Sequence, residues 1–362
     1  MKLWAVVFFL LPLLGAGYVS WRIWHLLPFA PYVKTGLVCL LWVGLLIMVG
    51  NFVVGLDRIP LGVARVLYEI GNSWLFVMLY LFMAFLLLDV GRMCHLVPRE
   101  FLFSSMKGTV AITVFMLAVF LYGNIHYYNK VRVPLDLTTD KPLERPLKLV
   151  LMSDLHLGYH NPRAEFAKWV DRVNQEKPDM VLIAGDIIDI SVRPLLEEGV
   201  AEEFRRLEAP VYACLGNHEY YSGEPKAQQF IADAGIQLLR DSAMTVHGIR
   251  LIGRDDRTNP SRKSLAALHS GGDRNRYTIL LDHQPYHLEE AEQAGVDFQF
   301  SGHTHYGQVW PISWITDAIY ECAFGSHQRG RTRYYVSSGI GIWGGKFRIG
   351  TRSEYVVATL HH

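Results

Sequence analysis

The first 125 residues contain four long apolar segments, which limit the possible folds more than any other feature of the chain. They cover residues 3–19, 37–54, 74–90 and 110–122. A helix that spans a bilayer needs about 20 mostly apolar residues, with about 17 as the lower limit. Inside lipid, only helices and closed barrels satisfy every backbone polar group. We therefore predict an all-α membrane region over residues 1–128 with about four transmembrane helices.

Three details of this region stay open. Segment 3–19 could be a signal peptide that starts at Lys2, but another apolar segment follows it where a soluble chain would be expected. Residues 63–70 could form a short interfacial helix. Lysine and arginine near the segment ends favour a cytoplasmic location for the C-terminal part of the chain, and this assignment inverts if the first segment does not span.

The composition changes after the apolar segments. Residues 129–146 are polar with three prolines, which predicts a linker with one edge strand. Residues 147–362 then alternate strand-like and helix-like patterns, as α/β domains do. One helix is expected over residues 161–176 with Asn161 as its cap, and others over 194–207 and 224–234. Strands are expected at 147–152, 180–184, 211–215, 249–253, 278–281, 298–301, 334–337 and 355–360.

The balance of charge and the spacing of the cysteines exclude some classes of protein. With 35 basic and 34 acidic residues, the chain has no excess of positive charge, so we expect no nucleic acid partner. Its four cysteines show no CxxC spacing, which argues against a zinc knot or a disulfide framework.

Polar metal-ligating residues follow the predicted strands. The apolar run in LVLMSDLHLG ends in Asp154 and His156, and further donors follow at IAGD, CLGNHE, LLDHQP and FSGHTH. Mixed oxygen and nitrogen donors of this kind suit transition metals, and the lack of cysteine argues against structural zinc. Two metals that share a carboxylate form a clamp for phosphoryl displacement. The later donors are Asp186, Asn217, His218, His283, His303 and His305.

The ordered set Asp-x-His, Gly-Asp, Gly-Asn-His-Glu, His and Gly-His-x-His resembles the calcineurin-like metallophosphoesterase superfamily over about residues 147–362. GHTHYGQ and the C-terminal VSSGIGIWGGKFRIGTRSEYVVATL resemble a bacterial membrane-associated branch, which usually has GHTHGGQ. Tyr306 departs from this pattern, as does Lys346 where proline is common. Neither position is a ligand in the family, so the departures concern substrate shape.

The resemblance implies a four-layer α/β/β/α sandwich and two divalent metal ions, for which Mn, Fe and Zn are all suitable. The first ion would be held by Asp154, His156, Asp186 and His305, with Asp186 bridging, and the second would be completed by Asn217, His283 and His303. His218 would contact the phosphate and assist the leaving oxygen. Asp189 matches a carboxylate that orients this histidine in some members, although a capping role is an alternative. His160, His247, His269, His287 and His327 match no ligand position.

These features predict a membrane-anchored dinuclear phosphoesterase, in a bacterial inner membrane, that hydrolyses a phosphate monoester, diester or pyrophosphate. Because the anchor holds the site near a bilayer, the substrate could be lipid-linked, for example in the manner of a UDP-diacylglucosamine-type diphosphatase. The alternative is a non-catalytic sensor or scaffold, whose signature would be the loss of a ligand residue, and none is lost.

Residues 310–333 could add an apolar wall or membrane-touching lip, with three arginines that grip phosphate, or form only a solvated loop. The wall would contain Trp310, Trp314, Ile315 and Ile319, and the arginines are Arg329, Arg331 and Arg333.

Overall fold

The structure, a computed structural model, describes residues 3–362, with side chains from residue 12 onward. The chain forms two compact units. The first contains the residues up to Asn124 together with Gly344–Lys346, and the second contains Ile125–Trp343 and Phe347–His362.

The first unit is built from helices. In the described residues, α2, α3 and α5 are long and apolar enough to cross a membrane, which agrees with the second, third and fourth predicted segments. The first predicted segment falls largely on residues whose side chains lie outside the described part. The helices are α1 (Leu3–Leu26), α2 (Pro31–Val53), α3 (Leu61–Met93), α4 (Arg99–Leu102) and α5 (Met106–Tyr128).

Residues 63–70, considered above as a short interfacial helix, do not form a separate helix. They form the first turns of α3. Gly71 lets α3 pack closely on α2, because a Cβ there would lie 2.5 Å from Nδ2 of Asn51 and 3.0 Å from the backbone of Met48. A mainly apolar core between α1, α2 and α3 includes Ala16, Leu45, Trp74 and Met78.

The second unit contains two six-stranded sheets. The first sheet has the order β1-β12-β2-β3-β4-β5, and the second has the order β10-β11-β9-β8-β7-β6. The strands are β1 (Lys130–Thr138), β2 (Leu147–Met152), β3 (Met180–Ala184), β4 (Val211–Cys214), β5 (Gln237–Leu238), β6 (Ser242–Val246), β7 (Ile249–Gly253), β8 (Thr278–Leu281), β9 (Phe298–Ser301), β10 (Gly325–Arg329), β11 (Thr332–Val336) and β12 (Ser353–His361).

The sheets pack face to face, and helices cover their outer faces. Side chains alternate between the two faces of a strand. In β2, Leu149 and Leu151 enter a core shared with β7, β8 and β9 of the other sheet, whereas Val150 packs with helices on the outside. A third core joins the second sheet to α11 and α12. The predicted four-layer α/β/β/α sandwich is therefore confirmed. The helices are α6 (Arg163–Gln175), α7 (Arg193–Glu198), α8 (Val200–Phe204), α9 (Asn217–Tyr221), α10 (Glu224–Asp233), α11 (Leu265–His269), α12 (Leu288–Ala294) and α13 (Ile312–Ile319).

The edge strand expected within the linker is confirmed. Residues 130–138, half of that segment, form β1, which pairs in parallel with β12; its Pro134 is tolerated because an edge strand has one unpaired side. Several boundaries of other elements differ from the sequence-based prediction. The helix expected at 161–176 begins at Arg163, and Asn161 is not its cap. The helix expected at 194–207 is broken into α7 and α8 by Gly199, which has a φ of 67°.

Candidate metal centre

The predicted ligands follow the carboxyl ends of the central strands. Asp154 and His156 follow β2, Asp186 follows β3, and Asn217 follows β4 in the first sheet. In the second sheet, one ligand follows β8 and two follow β9. Strands β2, β3 and β4 run parallel to one another, as do β7, β8 and β9. Ligand sites of α/β folds gather at such ends, and this explains how seven distant residues can meet.

One group of donors consists of Asp154, His156 and His305. The Nε2 atoms of the two histidines are 3.0 Å apart. Oδ1 of Asp154 lies 3.9 Å from Nε2 of His156 and 3.5 Å from Nε2 of His305. All three residues are buried. The atoms converge closely enough for a single cation to contact them all.

The second group consists of Asp186, His283 and His303. Oδ2 of Asp186 lies 3.1 Å from Nε2 of His283. The same oxygen is 3.6 Å from Nε2 of His156, which belongs to the first group. The carboxylate of Asp186 therefore lies within reach of both groups.

Asn217 provides a test of whether these residues suit a metal. Its side-chain oxygen is buried and, among the described residues, has no hydrogen-bond partner. A buried oxygen without a partner costs about 1–3 kcal/mol, unless a ligand binds it. Together with the histidine and carboxylate donors, this oxygen fits a divalent transition metal.

Electrostatics keep several donors in the form that binds metal. Burial lowers the pKa of His303 to about 4, and burial together with His156 lowers the pKa of His305 well below its usual value, so both imidazoles stay neutral. Burial alone would raise the pKa of Asp186, but His283 and His218 hold it well below the usual value. Burial raises the pKa of Asp154, and Asp186 adds to this effect, although His283 opposes it.

Five of the seven predicted ligands have a left-handed backbone. The φ angles lie between 45° and 71° at Asp154, His156, Asp186, His303 and His305. Residues other than glycine rarely adopt this conformation, which costs about 1–3 kcal/mol and is common at functional sites. The surrounding strands thus hold the ligands in an arrangement that local propensity disfavours.

Two of the glycines that precede ligands leave room for carboxylates. A Cβ at Gly216 would collide with Oδ1 of Asp186, and a Cβ at Gly302 would collide with Oδ2 of Asp154. Both positions are therefore restricted to glycine by close approach.

His218 lies at the edge of the first donor group. Its ring centroid is 4.5 Å from that of His156, and its Nδ1 is 2.9 Å from the carbonyl oxygen of Asp189. Oδ1 of Asp189 lies 3.4 Å from this nitrogen and 3.3 Å from Nδ1 of His156. Asp189 thus contacts two predicted functional histidines and is not a helix cap. Burial lowers the pKa of His218, but Asp186 and Asp189 outweigh it and raise the pKa to about 9.

Sequence reasoning missed a buried glutamate beside the donors. Glu219 accepts hydrogen bonds from the backbone N–H groups of Asp186 (3.1 Å), Ile188 (3.0 Å) and Gly216 (2.7 Å). It therefore fixes the two loops that carry Asp186 and Asn217. Its place in the GNHE motif was the only available signal.

The sequence-based prediction also missed the supporting roles of Arg348 and Asn161. Arg348 is fully buried and donates to the carbonyl oxygens of His305 (2.8 Å), Gly341 (2.9 Å) and Ser338 (2.5 Å). The side-chain amide of Asn161 donates to the carbonyl of His156 (3.0 Å) and that of Ile342 (3.1 Å). These contacts depend on tertiary structure, so no local pattern could reveal them.

The remaining histidines and the arginines singled out in the sequence lie outside the donor groups. His160 is buried against the carbonyl of Ile342, and His287 and His327 are paired with nearby glutamates. Arg329 forms ion pairs with Glu292 and Glu321, at 3.0 and 2.6 Å, instead of standing free. Of the segment 310–333, residues 312–319 are not a loop but α13, on which Trp314, Ile315 and Ile319 are more than half exposed.

Comparison with known proteins agrees with this geometry. The family model described as calcineurin-like phosphoesterase matches residues 147–307. A protein of Campylobacter jejuni, called an uncharacterized metallophosphoesterase, is 30% identical over 258 residues, 69% of this chain and 69% of its own length. An uncharacterized metallophosphoesterase of Aquifex aeolicus is 30% identical over 67% of this chain and 97% of its own length. A Danio rerio protein called transmembrane protein with metallophosphoesterase domain is 29% identical over 69% of this chain and 62% of its own length.

The layered fold, the clustered donors and these similarities define a metal-dependent phosphoesterase. The chain belongs to the calcineurin-like phosphoesterase family. With its apolar helices, it is a membrane protein of that family.

Proposed function

We propose that this chain is a membrane-anchored dinuclear phosphoesterase that hydrolyses a lipid-linked phosphate ester or pyrophosphate. The carboxylate of Asp186, which lies between two donor groups, carries the proposal. Asp154, His156 and His305 would hold one divalent ion, and His283, His303 and Asn217 the other, with Asp186 bridging. When bound, such ions neutralise phosphate charge and activate water as the nucleophile.

His218 is the proposed proton donor. Because its Nδ1 is engaged by the carbonyl of Asp189, the proton on Nε2 remains available to the substrate. Asp186 and Asp189 raise its pKa to about 9 against the opposing effect of burial, which favours the protonated ring. It can therefore stabilise the phosphate oxygens and protonate the leaving oxygen. Asp189 is the positioning residue that holds the ring.

An exposed apolar helix supports a lipid-linked substrate. The turn that carries His305 packs on the start of α13, where a Cβ on Gly307 would meet the backbone of Ser313. Tyr306, the departure from the family pattern, stacks on Phe324 with ring centroids 5.0 Å apart and donates to Asp317 at 3.3 Å. The apolar side chains of α13 are thus fixed beside a metal ligand, where they could contact acyl chains.

Arg257 is the proposed contact for a second phosphate group. Its guanidinium lies 4.1 Å from the ring centroid of Tyr286, whose ring contacts the tilted ring of Tyr320 at 4.7 Å between centroids. The Tyr320 ring lies 6.3 Å from that of His303. Nη1 of Arg257 is buried and has no hydrogen-bond partner among the described residues. Arginine binds phosphate oxygens through paired hydrogen bonds, so this group suits a pyrophosphate or a diester.

Turnover by the purified full chain tests the proposal. With Mn²⁺, it should hydrolyse p-nitrophenyl phosphate or bis-p-nitrophenyl phosphate. Asp186→Asn and His218→Ala should each lower kcat/KM by about 100-fold or more, since acid catalysis alone contributes that much. His287→Ala, a change at an exposed histidine, is the matched control and should have no effect. Metal binding without any turnover would instead favour a sensor or scaffold.

The substrate class has its own test. Arg257→Gln should reduce kcat/KM for a pyrophosphate-linked lipid by about tenfold, and leave p-nitrophenyl phosphate turnover within about twofold. Equal losses for both substrates would refute the role of Arg257.

We further propose that the protein resides in a bacterial inner membrane with its catalytic domain in the cytoplasm. The lysines and arginines near the ends of the apolar segments support this orientation. Alkaline phosphatase fused after His362 should be inactive, because it folds only outside the cytoplasm, and a fluorescent protein at the same position should be bright. The reverse result would refute the orientation.

A further inference from the structure

The helical unit contains a fully buried arginine with almost no acceptor. Arg22 of α1 has no solvent exposure, and its guanidinium carbon lies 5.1 Å from the ring centroid of Trp21, 5.8 Å from Phe85 and 5.5 Å from Phe103. Aromatic faces attract a cation but accept none of its five N–H groups in the plane of the guanidinium. Among the described residues, none of its three nitrogens has a hydrogen-bond partner.

The nearest anion does not balance the local charge. Oδ1 of Asp89 lies 3.4 Å from Nη2 of Arg22, and Oδ2 of Asp89 accepts a hydrogen bond from Tyr18 at 2.6 Å. Two more guanidinium groups share the Phe103 ring, with Arg92 at 5.0 Å and Arg99 at 5.3 Å. Neither has an ion pair among the described residues. Three cations therefore surround one ring and face a single carboxylate.

A cavity of about 640 Å³ is lined by two of these three cations, Arg92 and Arg99, and by the carboxylate of Asp89 that faces Arg22. Its size falls in the range of small-molecule sites. The polar lining consists of Asp89, Arg92, His95 and Arg99, and the rest includes Trp21 and Met93.

Backbone hydrogen bonds hold its walls in place. Ser104 and Ser105 donate to the carbonyls of His25 and Leu26, both at 2.8 Å, which ties the start of α5 to the end of α1. The turn after α3 is closed by Val97, which donates to the carbonyl of Gly91 at 3.2 Å. The cavity is thus a built feature of the helix ends.

We propose that this cavity binds a phosphate group, supplied by the headgroup of an anionic phospholipid. Guanidinium groups are well matched to phosphate oxygens, and one phosphate would balance the excess positive charge. The cavity lies where α3, a helix long enough to span the bilayer, ends, and headgroups lie at such ends. Its mixed lining of arginine and apolar side chains suits a phosphate attached to a glycerol backbone. None of these residues belongs to the metal centre, so the site is separate from the proposed hydrolysis.

Lipid binding to the full chain in detergent tests the proposal. Fluorescently labelled phosphatidylglycerol is titrated and followed by anisotropy, with phosphatidylcholine as the zwitterionic lipid and inorganic phosphate as a competitor. The double variant Arg92→Gln/Arg99→Gln removes one half-buried and one exposed cation, both outside the metal centre, so it should leave folding and p-nitrophenyl phosphate turnover unchanged. Arg58→Gln, which removes one exposed arginine from the loop between α2 and α3, is the matched control.

We expect the double variant to bind phosphatidylglycerol at least tenfold more weakly, and Arg58→Gln to bind it within about twofold of the unchanged protein. Phosphatidylcholine should bind at least tenfold more weakly than phosphatidylglycerol. Displacement of the lipid by inorganic phosphate at equal concentration would support the phosphate site but identify free phosphate as its ligand. Equal affinity of the double variant and the unchanged protein, or equal binding of the two lipids, would overturn the proposal.

Discussion

Arg348 offers a sharp test of how the metal centre is supported. Its guanidinium is fully buried, and burial lowers its pKa to about 10 even though Asp154 opposes the shift. It donates to the carbonyl oxygen of the predicted ligand His305 and to three carbonyl oxygens of the segment 338–341. Among the described residues, it has no salt bridge. Its role is therefore to satisfy backbone oxygens that water does not reach.

Arg348→Met keeps a long side chain and removes every donor. Each buried carbonyl left without a donor costs about 1–3 kcal/mol, but the cost of burying a charge is also removed. We expect a net loss of about 4 kcal/mol. For a domain of this size, this loss corresponds to about 8–16 °C in Tm. Arg348→Lys restores some donors without the planar fork, and should lose about half as much.

Differential scanning fluorimetry of the full chain in detergent measures the Tm, and calorimetric titration with Mn²⁺ measures metal affinity. Because the turn of His305 loses an anchor, Mn²⁺ should bind about 10–100-fold more weakly in Arg348→Met, as for other residues that orient metal ligands. Arg331→Met, at an exposed arginine, controls for the loss of charge. If Arg348→Met melts within about 2 °C of the unchanged protein and binds Mn²⁺ equally well, the reasoning is wrong.

Three further predictions concern other contacts. Glu219→Gln replaces one accepting oxygen with an amide that cannot accept from the backbone N–H groups, and should weaken Mn²⁺ binding by about tenfold in calorimetry; unchanged affinity would contradict the positioning role. Tyr127→Phe removes a buried hydroxyl that lies 2.6 Å from Asn161 and 2.5 Å from Glu165, and should cost about 1–2 kcal/mol in thermal unfolding, whereas Tyr32→Phe, at an exposed ring, should cost nothing measurable. Hydrogen bonds from Arg132 and Lys148 lower the pKa of Glu176, so its contribution to stability is present above about pH 4.5 and is lost as the pH falls through the lower native pKa. The difference in Tm between the unchanged protein and Glu176→Gln should therefore be small, correspond to less than about 1 kcal/mol, and shrink below that pH; a difference that grows in acid would refute this.

The central strands could be predicted from the sequence because they are mostly apolar runs that end in glycine or a polar cluster. Strands β2, β3, β7, β8 and β9 have the predicted limits, and every residue of β3, β7, β8 and β9 is buried. A buried strand is rich in apolar side chains on both faces, so it can be recognised from its own composition.

Two of the edge strands, β6 and β10, could not be predicted in this way. Strands β6 and β10 alternate between half-buried and exposed positions and contain few large apolar residues. The antiparallel pairing of β6 with β7 and of β10 with β11 stabilises them, and such partners are not visible in a local pattern. For the same reason Asn161, which reads locally as a helix cap, instead donates to backbone carbonyls near the metal centre.

The residues that could bind metal were predictable from the sequence, but the residues that hold their loops in place were not. Residues of the right chemistry follow strand ends, and the parallel order of the strands brings them together. The roles of Glu219 and Arg348 depend on which carbonyl and amide groups become buried, and these are set only when the loops pack.

The left-handed backbone at five of the predicted ligands has a consequence for ion exchange. If strand packing already fixes the backbone of these five residues, the ligands have their binding conformation before a cation arrives. Binding then requires little rearrangement of the protein. Stripping with a chelator and refilling should then be rapid and free of hysteresis, and different first-row ions should enter the same rigid cage. Such a protein would accept whichever suitable ion its surroundings provide, so the cell's ion pool would decide which species occupies it.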